Sequence, residues 1–102
     1  MTEDNRRSAT RHDVSIAVTV TLDGKTVESE MRNLSLGGAY LALGHRVPMG
    51  SFVKVRFRVP THEEPIEVGS HVRWATDTGV GVQFEGLRAR EVWSLNKYFE
   101  KL

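Results

Sequence analysis

The residues most able to bind an anion are three arginines near the N-terminus, in the stretch RRSATR (residues 6–11). Guanidinium groups bind phosphate and the edge of guanine through paired hydrogen bonds, and they also stack on flat bases. Arg7 and Arg11 are four residues apart in a segment with almost no apolar residues. Taken alone, this pattern favours a solvated basic tail. A binding role therefore requires a second element that completes the site.

A second candidate element is the stretch NLSLGG (residues 33–38). Asn33 and Ser35 are one strand period apart, so we expect them to point to the same side and to offer an amide and a hydroxyl. Gly37 and Gly38 would let a ligand approach the backbone. The same residue types are also typical of a simple turn. Residue types alone leave both interpretations open.

Other residue patterns do not predict catalysis. Ser35 lacks the glycine two positions earlier that a nucleophile elbow requires, because Asn33 stands there. Glu63 and Glu64 are expected to be turn charges, and no other carboxylate pair suggests a general acid and base. The histidines have no metal-ligand spacing and are expected to be solvated loop and strand residues: His12, His45, His62 and His71. The sequence therefore favours a binding module with no metal or cofactor over an enzyme.

Composition restricts the class of protein. The chain has 102 residues, of which 39% are hydrophobic and 26% are charged, as in one ordinary globular domain. It has no cysteine, so disulfides and thiol chemistry are excluded. No apolar run could span a membrane and no signal peptide is visible, which predicts a soluble, cytoplasmic protein without a membrane partner. The net charge of +1 disfavours general nucleic-acid binding, so any anion site must be local.

Hydrophobic residues alternate with polar ones along most of the chain, which predicts strands. In the first segment Val14, Ile16 and Val18 lie on one face. Asp23-Gly24 predicts a tight hairpin turn, and Gly69 is a predicted bulge. The six predicted strands cover residues 13–22, 25–32, 39–43, 51–59, 66–75 and 80–84.

The C-terminal segment changes to a helical period. From Leu87 onward, Val92, Leu95, Phe99 and Leu102 recur at spacings of three and four. Short strands at close spacing, followed by one helix, predict an all-β, mainly antiparallel fold: a six-stranded barrel that the helix plugs or flanks. Residues 1–12 are predicted to be a flexible arm carrying the arginines, and residues 13–102 to form the barrel and helix.

Taken together, these motifs resemble the PilZ domain family. Its RxxxR motif corresponds to Arg7–Arg11 and its [D/N]xSxxG motif to Asn33–Gly38, with Asn33 where Asp is commoner. A third segment, HVRWATDTGVGVQF (residues 71–84), resembles the closing hairpin of the family. The resemblance implies a PilZ-type six-stranded β-barrel and a non-catalytic receptor for the bacterial second messenger cyclic di-GMP. It also implies an unidentified downstream protein partner, because a single domain must signal by altering the surface it presents.

The resemblance also implies roles for individual residues. Arg7 and Arg11 would contact guanine edges and phosphate, the Asn33 carbonyl would accept from guanine, and Ser35 would donate to phosphate. Gly37 and Gly38 would keep the surface open, and Trp74 is a weaker candidate that could stack on a base or belong to the core. An arginine at the Arg6 position implies a stacked pair of cyclic di-GMP molecules.

Two alternatives to the receptor remain open. The first is a degenerate PilZ module that docks on a protein and binds no nucleotide. The second is a small barrel that binds single-stranded nucleic acid, which the charge of +1 and the aromatic content of 8% disfavour.

Overall fold

The computed structural model describes residues 10–43 and 47–102, and within these residues the chain forms six strands and one helix. The strands are β1 (His12–Leu22), β2 (Lys25–Leu34), β3 (Gly38–Ala42), β4 (Phe52–Phe57), β5 (Ile66–Thr76) and β6 (Gly79–Phe84), and the helix is α1 (Ala89–Glu100). Neighbouring strands are antiparallel and close into a barrel in the order β1-β2-β3-β6-β5-β4. The predicted fold class is therefore confirmed. The predicted arm, residues 1–12, falls mostly outside the described residues, and His12 is the first residue of β1.

Alternating side chains build the core of the barrel. On β4, Val53, Val55 and Phe57 are each 2% exposed or less, whereas Lys54 and Arg56 face solvent. Burying such a side chain contributes about 1.5–3 kcal/mol relative to leaving it in water. The predicted turn between β1 and β2 is also present, because Asp23 and Gly24 have φ values of 53° and 78°.

Helix α1 packs against the barrel through the fully buried Leu95. Its start is stabilised by Glu91, whose carboxylate accepts a 2.8 Å hydrogen bond from the Arg88 backbone N–H. The helix begins at Ala89, two residues later than predicted, although Leu87 still packs on the core. The prediction for Leu102 is wrong: the helix ends at Glu100, and Leu102 is 59% exposed.

The predicted bulge at Gly69 is also wrong. Lys54 and Gly69 are partners within a continuous register between β4 and β5. Glycine at this position instead leaves room for the Phe52 ring, because a Cβ at Gly69 would lie 2.8 Å from it. Register shifts occur instead in β1 between Asp13 and Ile16, in β2 between Met31 and Asn33, and in β5 between Val72 and Trp74.

Three of the four histidines make specific contacts, which corrects the expectation that they are merely solvated. The His12 ring stacks on Phe99 of α1 with centroids 4.0 Å apart. His62 Nδ1 lies 2.7 Å from Ser94 Oγ, and the His71 ring meets the Phe52 ring at 5.4 Å. His45 lies outside the described residues.

Two features are absent from the described part of the chain. Residues 10–43 and 47–102 contain no cluster of three metal-ligating side chains of the His, Cys, Asp or Glu type. They also contain no helix of the length and apolar character that a membrane crossing requires.

Candidate functional site

The irregularity in β2 turns Asn33 toward the outside of the barrel. Met31 is fully buried, and a strict period of two would place Asn33 on the same inner face. One extra residue, Arg32, separates the pairs Met31–Leu41 and Asn33–Tyr40. As a result Asn33 faces outward while Leu34 takes the inner position and is fully buried. Bulges next to functional sites often re-aim a side chain in this way.

Asn33 lies beside the chain that leads into β1. It pairs with Asp13 across the β1–β2 ladder. Arg11 Nη1 donates a 2.7 Å hydrogen bond to Asn33 Oδ1, which uses one of the five N–H groups of the guanidinium. The structure therefore brings together the last arginine of RxxxR and the first residue of NxSxxG. Arg6 and Arg7 lie outside the described residues.

Ser35 stabilises the turn between β2 and β3. Its side chain is buried, and Oγ accepts hydrogen bonds of 3.1 Å from the backbone N–H groups of Gly37 and Gly38. The Ser35 backbone N–H donates to the Gly38 carbonyl at 2.8 Å. The expectation that Asn33 and Ser35 present one polar surface is therefore wrong for this structure, since the serine hydroxyl is occupied inside the turn.

The two glycines that follow have different surroundings. Gly38 is buried, and a Cβ there would lie 2.1 Å from the Val82 carbonyl oxygen on β6. Gly37 is exposed, and a Cβ there would meet nothing closer than Ser35 Oγ at 3.9 Å. Gly37 therefore leaves the outer surface open, whereas Gly38 permits close pairing of β3 with β6.

A second irregularity turns Trp74 outward. Val72 is 1% exposed, and strict alternation would bury Trp74 beside it. The extra residue is Arg73, so that Val72 pairs with Val82 and Trp74 pairs with Gly81. Trp74 is 41% exposed, and the core alternative for this residue is excluded.

Tyr40 and Trp74 form a stacked pair on the outer wall, which we call the aromatic pair. Their ring centroids are 5.3 Å apart and their planes differ by 14°. Gly81 lies between them in the sheet, pairing with Tyr40 on one side and with Trp74 on the other. A Cβ at Gly81 would lie 2.1 Å from the Trp74 indole, so the glycine provides the space in which the rings meet.

Two hydroxyl groups and one ion pair lie around the aromatic pair. The Tyr40 hydroxyl lies 3.2 Å from Thr76 Oγ1 and 2.7 Å from Thr78 Oγ1. These two hydrogen bonds lower the pKa of Tyr40, and the positive charge of Arg32 lowers it further. Arg32 Nε forms a 2.8 Å ion pair with Glu30.

Sequence reasoning missed Arg32 and Tyr40. The row of paired residues Asn33, Tyr40, Gly81 and Trp74 crosses four adjacent strands, so it extends about 14 Å along the wall. The row offers an amide and two aromatic rings, and the guanidinium groups of Arg11 and Arg32 lie beside it. The sequence does show Arg32 directly before the Asn33 motif. It does not show the β2 bulge that places Arg32 and Asn33 relative to Tyr40.

The profile of the PilZ domain family matches residues 5–101. This chain belongs to the PilZ domain family. No curated protein is similar enough in sequence to match it.

Solved structures with the same fold are distant in sequence. The inhibitor of motility MotI/DgrA from Bacillus subtilis has a TM-score of 0.73 at 18% identity, over 89% of this chain and 50% of that one. The PilZ domain of CeSA from a cellulose-synthesising bacterium has a TM-score of 0.69 at 16% identity, over 90% and 97%. The Borreliella burgdorferi PlzA protein, solved in complex with c-di-GMP, has a TM-score of 0.72 at 14% identity, over 95% and 42%. This PilZ chain thus spans half or less of MotI and PlzA.

Proposed function

We propose that this PilZ protein is a non-catalytic, cytoplasmic receptor for cyclic di-GMP. The hydrogen bond between Arg11 and Asn33 is the observation that carries the proposal, because it joins the two family motifs on one face of the barrel. Membership of the PilZ family and the likeness of the fold to PlzA, which was solved with c-di-GMP, support the same ligand.

The chemistry of the joined motifs suits a guanine nucleotide. A guanidinium binds guanine O6 and N7 in a bidentate manner and also binds phosphate. Arg11 has donors beyond the one that Asn33 occupies, and Arg7 would supply a second guanidinium. The Asn33 carbonyl, with two lone pairs, can accept from guanine N1–H or N2–H while it keeps or exchanges the Arg11 bond. Ser35 contributes by fixing the turn that carries Asn33.

The aromatic pair extends this site along the wall. An exposed indole face stacks on a base, and such stacking is worth about 1–3 kcal/mol per base. Trp74 presents that face at 41% exposure, and Tyr40 holds the indole from the other side. We expect one guanine to stack on the aromatic pair, with Arg32 adding positive charge beside Tyr40.

The N-terminal arm would close over the ligand. The residues before His12 carry few apolar side chains, so little offsets the backbone entropy of ordering them until phosphate and guanine are present. Closure changes the surface around the site, and a downstream protein partner would recognise that change. Amide exchange at residues 7–11 should slow on adding cyclic di-GMP, and exchange that is already slow without ligand would contradict this step.

We further propose two ligand molecules per chain. Two stacked molecules carry about four phosphate charges into one site, and nearby cations must offset their repulsion. Arg6, Arg7 and Arg11 supply three of those cations. Native mass spectrometry should give two ligands per wild-type chain and a shift toward one for Arg6→Leu, with binding retained. One ligand per wild-type chain at saturation would refute this stoichiometry.

Calorimetry tests the function itself. The protein should bind cyclic di-GMP. Its affinity for GMP and for cyclic GMP should be at least about tenfold weaker, because each of these smaller ligands loses half of the bidentate contacts. A single-stranded oligonucleotide is the fourth ligand. If it binds more tightly as its length increases, the protein is a nucleic-acid binder. If no ligand binds, the chain is a PilZ module that docks on protein alone.

A further inference from the structure

A groove of about 600 Å³ opens on the barrel wall between the start of β1 and the end of β4. It does not include Asn33 or the aromatic pair. Its lining combines apolar side chains of Ile16, Pro65 and Tyr98 with the charged side chains of Arg56 and Arg58. A floor of apolar groups beside cations is suited to a chain in which apolar and acidic residues alternate.

The groove exists because the ladder between β1 and β4 is short. The two strands pair only from Val18–Phe57 to Thr21–Lys54. Upstream of Val18, β1 continues to His12 and pairs with β2 alone, in the described part of the chain. The other side of that segment is a strand edge, which is a template for pairing with a further strand.

The charge beside this edge is unbalanced. Arg56 lies near the end of β4 and Arg58 just beyond it, and both side chains are exposed, so two cations stand close together in sequence beside the groove. Neither arginine forms an ion pair among residues 10–43 and 47–102. Glu67 is the register partner of Arg56 without forming an ion pair with it.

Two glutamates of β2 lie on the far side of β1. Glu30 already accepts from Ser15 and pairs with Arg32, and Glu28 lies 3.5 Å from the hydroxyl of Thr19. Glu30 is thus compensated by its own partners. The positive charge of the groove lies at Arg56 and Arg58, across the groove from β1.

We propose that this groove binds an extended acidic segment of a partner protein, which adds as a strand to the free edge of β1 before Val18. Its backbone pairs with Ser15–Ala17, its apolar side chains contact Ile16 and Tyr98, and its alternate carboxylates pair with Arg56 and Arg58. This interaction is separate from the proposed nucleotide site, and its test does not depend on cyclic di-GMP.

The probe is a fluorescein-labelled decapeptide of alternating glutamate and valine. NMR of ¹⁵N-labelled protein should show shifts of the amides of residues 15–18 and 56–58, with slowed exchange at the β1 edge. Arg56→Gln with Arg58→Gln should weaken binding by at least about tenfold. Lys54→Gln is the matched control, because Lys54 lies on the same face of β4 but outside the groove, and it should change affinity less than about twofold.

A second peptide, N-methylated at every peptide bond, keeps its charge but loses the backbone donors on both edges of the strand. It should not bind. Equal binding of the methylated peptide would overturn strand addition, and so would equal loss in the Lys54 control. Stronger binding of a single-stranded oligonucleotide at the same amides would assign the groove to nucleic acid instead. A free protein that is a dimer, and that dissociates in the double variant, would assign it to a second copy of this chain.

Discussion

Strand β4 and strands β2 and β5 differ in how regularly they alternate. β4 keeps an unbroken register with β5 from Phe52 to Phe57, and its outward side chains between these residues are charged. β2 and β5 each contain one extra residue, after which Asn33 and Trp74 face outward. The regular strand contributes core and solubility, and the interrupted strands present the candidate site. The candidate nucleotide site therefore lies where the period of two is broken.

The largest effect is expected from breaking the period of β4. An alanine inserted between Lys54 and Val55 would turn Val55 and Phe57 outward, or Val53 if the shift propagates the other way. Exposing Val55 and Phe57 costs about 3–6 kcal/mol, which is a large part of the stability of a small domain. Urea denaturation should show a largely unfolded protein.

The matched change in β5 is deletion of Arg73. Val72 and Trp74 would then be neighbours that pair with Val82 and Gly81 in ordinary alternation. The described ladder between β4 and β5 ends at His71, so the deletion leaves it intact. We expect a loss of under about 2 kcal/mol. Equal destabilisation by the insertion and the deletion would contradict the distinction between regular and interrupted strands.

The sequence predicted all six strands, but it did not predict the interruptions within β2 and β5, for one physical reason. Alternation reports which side chains avoid water, so Val53, Val55 and Phe57 identified β4 without further information. A bulge is a property of pairing between two strands, and neither Arg32 nor Arg73 differs in type from an ordinary exposed residue. Asn33 could be named from its motif, but its outward direction and its neighbour Tyr40 could not be predicted.

The second effect is a difference in stability between substitutions at two adjacent glycines, Gly37 and Gly38. Gly38→Ala should destabilise the fold by about 3 kcal/mol, because the new Cβ would lie 2.1 Å from a backbone oxygen of β6 that cannot move aside. Gly37→Ala should be nearly neutral, since its nearest neighbour would be 3.9 Å away. Chemical denaturation of both variants measures the difference. Similar stabilities would mean that Gly38 is not required for the pairing of β3 with β6.

The third effect concerns ligand binding at the β2 bulge, where Asn33 lies. Arg11→Ala and Asn33→Ala should each weaken cyclic di-GMP binding by about tenfold or more, since a lost bidentate guanine contact costs about 1–3 kcal/mol. Arg7→Ala should behave similarly. The double variant of Arg11 and Asn33 should lose less than the product of the single losses, because their side chains contact each other. Wild-type affinity in Arg7→Ala and Arg11→Ala, measured by calorimetry, would refute the receptor.

The fourth effect concerns the β5 bulge, where Trp74 lies. Gly81→Ala would place a Cβ 2.1 Å from the Trp74 indole, so the ring must move off Tyr40. Because a side chain can yield where backbone cannot, stability should fall only by about 1 kcal/mol, while cyclic di-GMP affinity falls about fivefold. Calorimetry gives the affinity, and Trp74 fluorescence in a Trp93→Phe background reports the ring. Unchanged fluorescence would show that the aromatic pair does not depend on Gly81.

The smallest effect is on the titration of Tyr40. Hydrogen bonds to Thr76 and Thr78, and then the charge of Arg32, lower the pKa of this phenol in the folded protein. A lowered folded pKa stabilises the fold above the unfolded pKa of about 10, and that contribution is lost as the pH falls through the folded value. It is therefore absent at neutral pH. In a Tyr98→Phe background, absorbance at 295 nm should give a Tyr40 midpoint below that of free tyrosine, and Thr78→Val should raise it while leaving neutral-pH stability nearly unchanged. If the midpoint in Thr78→Val equals that of the parent protein, the Thr78 hydroxyl does not lower the pKa of Tyr40.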